Sequence, residues 1–141
     1  MRSPALARIA SLAIAIGLSL AVAGCSNAPA TGEIRGKVTF KGQPVTEGTV
    51  TFLNLTDGGG GEGQIEQDGR YAVMGAIPVG EYVVEIKPLM HMVDTDPGKS
   101  PPAPMEKPAP NIPRKYRMQG STPLKEAVKS GQNEINFDMK P

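Results

Sequence analysis

The chain has 141 residues, with 15 basic against 14 acidic side chains and a formal net charge of +1. This balance excludes a basic face for a nucleic-acid backbone, and the length is that of one domain. With three Phe, three Tyr and no Trp, the core must be small and built mainly from Val, Ile and Leu.

Residues 1–24 have the layout of a secretory signal. Arg2 and Arg8 form a positive start, residues 9–23 are apolar or small, and Leu20-Ala21-Val22-Ala23-Gly24-Cys25 leads small residues into the one thiol of the chain. The apolar run is shorter than the about 18 residues of a membrane-spanning helix. A lone cysteine in a secreted protein has no intramolecular disulfide partner. The hexapeptide resembles the lipobox of bacterial lipoproteins. That resemblance implies cleavage between Gly24 and Cys25, acylation of Cys25, and attachment to the extracytoplasmic face of a bacterial membrane, the lipid anchor being the expected partner. One acyl chain holds a protein marginally and two hold it firmly, so multiple acylation would make the attachment lasting. Loss of Arg2 and Arg8 with the signal leaves 13 basic against 14 acidic residues, a net charge of −1.

Residues 25–32 read as a tether. From residue 33 the pattern alternates: Ile34, Gly36, Val38 and Phe40 on one face, Arg35, Lys37 and Thr39 on the other, as in a half-buried strand. Lys41-Gly42-Gln43-Pro44 is a turn. A second strand is expected over 48–55. Asp57 and the four glycines 58–61 predict a mobile loop, because glycine loses most backbone entropy on ordering. A short strand over 63–67, the tight turn Asp68-Gly69, a strand over 70–74, a turn at 77–80 and a strand over 81–87 follow. Within the last, Val83 interrupts an otherwise polar face of Glu81, Glu85 and Lys87. Residues 88–123 carry Pro88, Pro97, Pro101, Pro102, Pro104, Pro108, Pro110, Pro113 and Pro123. This density forbids a helix interior or central strand, so the segment is expected to be extended or disordered. Strands over 124–128 and 133–140 close the chain.

Seven short strands with regular turns predict an all-β fold, a seven-stranded antiparallel β-sandwich over 33–141, preceded by the signal-peptide helix. Its expected core is Val38, Phe40, Val50, Phe52, Tyr71, Val73, Tyr82, Val84, Ile86, Ile135 and Phe137.

Three segments carry a resemblance. Ile34-Arg35-Gly36-Lys37-Val38-Thr39-Phe40-Lys41-Gly42-Gln43-Pro44-Val45, Asp68-Gly69-Arg70-Tyr71 and Ile77-Pro78-Val79-Gly80-Glu81-Tyr82-Val83-Val84 resemble the carboxypeptidase regulatory-like domain, a transthyretin-like sandwich. The C-terminal part, Ile112-Pro113-Arg114-Lys115-Tyr116 with 121–124 and 133–138, resembles small lipoproteins of Planctomycetes. The resemblance implies a fold and a location, without an enzymatic activity or a cofactor. Transthyretin-fold hydrolases use paired histidines and a Tyr-Arg-Gly-Ser terminus. Here Tyr116-Arg117-Met118-Gln119-Gly120-Ser121 is interrupted and His91 is the one histidine, so general acid–base work by a histidine pair is unavailable.

Asp94 and Asp96 lie near His91, but a zinc site needs three or four rigidly held ligands, and no metal is expected. Met90, His91 and Met92 resemble a soft-metal cluster, with Met105 and Met118 far along a flexible segment. Some adhesin sandwiches carry a Lys–Asn crosslink between first and last strands. Lys37 and Asn136 stand at suggestive positions, yet alternation puts both on polar faces. The sequence therefore points to a non-catalytic structural or interaction module of the cell envelope, contacting a protein or glycan through sheet edges or the 88–123 loop. Tyr116 is expected to be its exposed aromatic, with Arg117 beside it. The alternative is a small-ligand or carrier-binding periplasmic protein with a pocket between the sheets or at the loop end.

Overall fold

A computed structural model describes residues 28–141 apart from 97 and 100. The expected signal segment, with Gly24 and Cys25, lies outside the described residues. The strands are β1 (Thr31–Phe40), β2 (Gln43–Pro44), β3 (Gly48–Leu53), β4 (Gly60–Ile65), β5 (Arg70–Ala72), β6 (Ile77–Pro78), β7 (Gly80–Lys87), β8 (Met90–Val93), β9 (Ala103–Glu106), β10 (Lys125–Val128), β11 (Gly131–Glu134) and β12 (Phe137–Met139). A 3-10 turn, Arg114–Tyr116, is the one helical element among the described residues.

The chain is an all-β sandwich made from one curled sheet. Its seven-strand path is β10-β7-β3-β4-β5-β1-β11, with β2, β6 and β12 also paired to β1. β8 and β9 form a separate two-stranded sheet. β1 begins two residues earlier than expected, because Thr31 and Gly32 already pair with Pro78 and Ile77. Pairing is antiparallel throughout except at the end of the chain. There β11 and β12 run parallel to β1, so the last strand departs from the expected antiparallel pattern.

That last strand is also interrupted. Residues 135 and 136 leave the ladder between β11 and β12. Asn136 Oδ1 accepts the Lys37 backbone N–H at 2.8 Å, and Tyr71 Oη donates to the Ile135 carbonyl at 2.8 Å. Gly36 makes this crossing feasible: a Cβ there would stand 1.7 Å from the Ile135 oxygen. Lys37 and Asn136 thus meet, but through a hydrogen bond from the Lys37 backbone N–H to the Asn136 side chain, and both residues are exposed.

The core lies between the curled halves. Phe52 on β3 sits 6.5 Å from Tyr71, 6.2 Å from Tyr82 and 6.2 Å from Phe137, centroid to centroid. Such separations favour edge and offset contacts. Tyr82 Oη donates to the Pro78 carbonyl at 2.8 Å, so the phenols of Tyr71 and Tyr82 are both satisfied. Of the expected core, Phe40 and Ile135 are only partly buried, while Ile34, Val45, Ile65, Ile77, Val128 and Met139 add to it.

The glycine tract 58–61 is not wholly a loop. Gly60 and Gly61 pair with Leu53 and Phe52 in the β3–β4 ladder. The turn before them is held by Asn54 Oδ1 accepting Thr56 N–H and Asp57 Oδ1 accepting Gly59 N–H, each at 2.8 Å. Asx bonds of this kind offset the entropy that the glycines lose.

Candidate interaction surface

Residues 88–123 are anchored rather than free. Ala109, Ile112 and Tyr116 enter the core cluster, and Ile112 is fully buried. Its Cδ1 lies over Gly48, 3.0 Å from where a Cβ would be, and Ile65 Cδ1 borders the same spot. Ile112 thereby covers the start of β3 and the end of β4. The prolines do not prevent this. Pro104 pairs with Met92 in a two-stranded sheet in which both strands are edges, where a missing donor is tolerated. Pro113 precedes the 3-10 turn, whose first residues need no such donor.

Arg117 holds the segment in shape. Its Nε donates to the Ile112 carbonyl at 2.9 Å, and Nη2 donates to the Ile112 and Ala109 carbonyls at 2.7 and 2.9 Å. Nη1 pairs with Glu106 at 2.8 Å. A guanidinium has five donors in a fixed fork, and most of this one is committed to its own loop. Tyr116 is buried, 4% exposed, and its Oη accepts the Lys140 N–H at 2.9 Å. Both residues expected to meet a partner, Tyr116 and Arg117, therefore have structural roles. Tyr116 is expected from the sequence to be the exposed aromatic, but its ring is buried, and Arg117 beside it satisfies the Ala109 and Ile112 carbonyls of the proline-rich segment.

What stands out from the molecule is the β8–β9 hairpin. Its register pairs Met90 with Glu106, His91 with Met105, Met92 with Pro104 and Val93 with Ala103. The base is fixed by Lys107 N–H donating to the Leu89 carbonyl at 2.8 Å, by Lys107 Nζ on Glu47 at 3.2 Å, and by Arg117 on Glu106. Met90, Met92 and Met105 are 56%, 64% and 48% exposed. Thioether side chains of this kind adapt to irregular surfaces.

The hairpin's position follows from strand direction. β7 pairs antiparallel with β3, β3 with β4, β4 with β5 and β5 with β1. β7 therefore runs the same way as β1. Both start at one end, where Val79 N–H donates to the Ala30 carbonyl at 2.9 Å. The 88–123 segment leaves β7 at the other end, about 25 Å away for eight residues at 3.3 Å each.

Sequence reading missed two buried polar residues. Thr122 Oγ1 donates to the Val84 carbonyl at 2.7 Å and accepts the Leu124 N–H at 3.2 Å, which docks the returning chain onto β7. Glu85 is 5% exposed, with the Lys87 ammonium against its Oε2, though not in hydrogen-bonding alignment. Val83 was the available signal: an apolar residue on the nominally polar face of β7 marks a face that is covered.

Phe52, Tyr71, Tyr82 and Phe137 fill the space between the sheets. A concavity of about 860 Å³ lies outside, against Glu47, Glu62 and Glu66. Among the described residues no three of His, Cys, Asp and Glu come together, and Asp96 instead faces Lys99 at 3.8 Å. Comparison with family models, with curated proteins and with solved structures returned no match, so the likeness to carboxypeptidase regulatory-like lipoproteins rests on the sequence segments that carry it.

Proposed function

We propose that this chain is a bacterial envelope lipoprotein, acylated at Cys25, whose non-catalytic sandwich displays the β8–β9 hairpin to a protein partner. The observation that carries the reading is the polarity of the fold. β1 begins at Thr31, six residues after Cys25, and the hairpin belongs to the segment that leaves the opposite end of the sandwich. A membrane holding Cys25 would face the Ala30–Val79 end, and the hairpin would point away from it.

The exposed methionines favour a protein over a glycan. Sugar sites place aromatic rings beside polar groups, and all three tyrosines here are buried. Thioethers supply adaptable apolar contact instead. The test is a pull-down from detergent-solubilised envelope with the full-length acylated protein and with Met90→Ser/Met92→Ser/Met105→Ser as baits. The expected result is a protein captured by the first and lost by the second. Equal capture by both would place the contact on the sheet edges and overturn the role given to the hairpin.

A further inference from the structure

We propose that His91 and Met105 form a two-ligand site for a soft monovalent cation, Cu(I) or Ag(I). The sequence separates these residues by a proline-rich stretch, but the hairpin makes them direct cross-strand partners. Residues directly opposite in an antiparallel pair project to the same face with Cβ atoms about 4.5–5.5 Å apart. An imidazole nitrogen and a sulfur, each about 2 Å from one ion, lie within reach of side chains rooted that close.

Two further observations point to a ligand. Among the described residues, His91 Nδ1 is buried and has no hydrogen-bond partner, a costly state for a polar atom that a bound cation would relieve. Met105 is 48% exposed, so the residue can be reached by an ion from solvent. The scaffold is preorganised as well: Arg117 grips Glu106, the residue after Met105, and Lys107 N–H closes the hairpin on Leu89.

The donor set selects the ion. A neutral imidazole and a thioether add no negative charge and are soft, which suits a monovalent d10 ion. Zinc requires three or four ligands, and the pair offers two. Met90 and Met92 alternate onto the other face of β8 and form no part of the site.

The test is a silver titration of the full-length protein carrying Cys25→Ser, in detergent, which removes the competing thiol. Methionine methyl and histidine ring resonances are followed by NMR. The Met105 methyl and the His91 ring are expected to move together and saturate at one equivalent. His91→Asn and Met105→Leu are each expected to weaken binding by about tenfold or more, the scale seen on losing groups that support metal sites. Met90→Leu/Met92→Leu should leave the first equivalent in place. If either single variant loses its fold, the other decides. Saturation of Met90 and Met92 first, or no movement of His91 and Met105 at excess silver, would overturn the assignment.

Discussion

Tyr71 joins three parts of the molecule. Its ring stacks on Phe52 and Phe137, and its hydroxyl donates to the Ile135 carbonyl where the last strand crosses. Burial, and then the charge of Glu126, push this phenol well above its ordinary pKa of 10.0. The folded state therefore keeps the proton at pH values where the unfolded chain has released it. The stability that Tyr71 confers is complete below about pH 10 and is lost as pH rises from there through the folded pKa. Urea melts between pH 8 and 11 should show stability falling above about pH 10, by up to about 1.4 kcal/mol per pH unit for this one proton. Tyr71→Phe should remove that part of the slope. At neutral pH it should cost about 1 kcal/mol, since the Ile135 carbonyl loses its donor. An unchanged alkaline slope in the variant would show that Tyr71 is not the titrating group.

The 88–123 segment divides into a hairpin outside the core and an anchor inside it. Ile112→Ala should cost about 2–5 kcal/mol, the range for a fully buried aliphatic side chain. Replacing residues 90–105 by a short link should change stability by less than about 1 kcal/mol. The chain is already closed by the Lys107–Leu89 bond, and shortening a loop lowers its closure entropy. Chemical denaturation of the two variants separates the halves, and a large loss on deleting the hairpin would mean it packs on the sandwich. The division was not legible in the sequence. Proline density correctly excluded a helix, but it could not distinguish a disordered run from one pinned by Arg117 and plugged by Ile112. Each of those contacts joins residues whose proximity depends on the whole loop. The glycine tract misled for a similar reason: local entropy argued for disorder, and pairing with β3 outweighed it.

For the molecule as a whole, the proposed anchor and the direction of β1 and β7 define an orientation. Cys25→Ser should move the protein from the membrane fraction to the soluble fraction without altering its melting temperature, and retention on membranes would overturn the anchor. In the acylated protein, a fluorophore at Ser130, in the turn beside the Gly32–Gly131 pair, should be quenched by labelled lipid headgroups. One at Lys99, between the hairpin strands, should be quenched much less. Equal quenching at the two positions would mean that the domain lies flat on the bilayer.

By itself, the sequence determined that the chain is all-β, where most strands lie, and which residues of Val38, Val50, Phe52, Tyr71, Tyr82 and Val84 turn inward. Alternation and turn chemistry are local, so a single segment displays them. Only the tertiary structure decided that the last strand runs parallel to the first, that Thr122 is buried, that Tyr116 and Arg117 brace a loop, and that His91 faces Met105. Each of these depends on which distant segment becomes a neighbour. That choice is made by closure of the sheet around one core, and no local pattern encodes it.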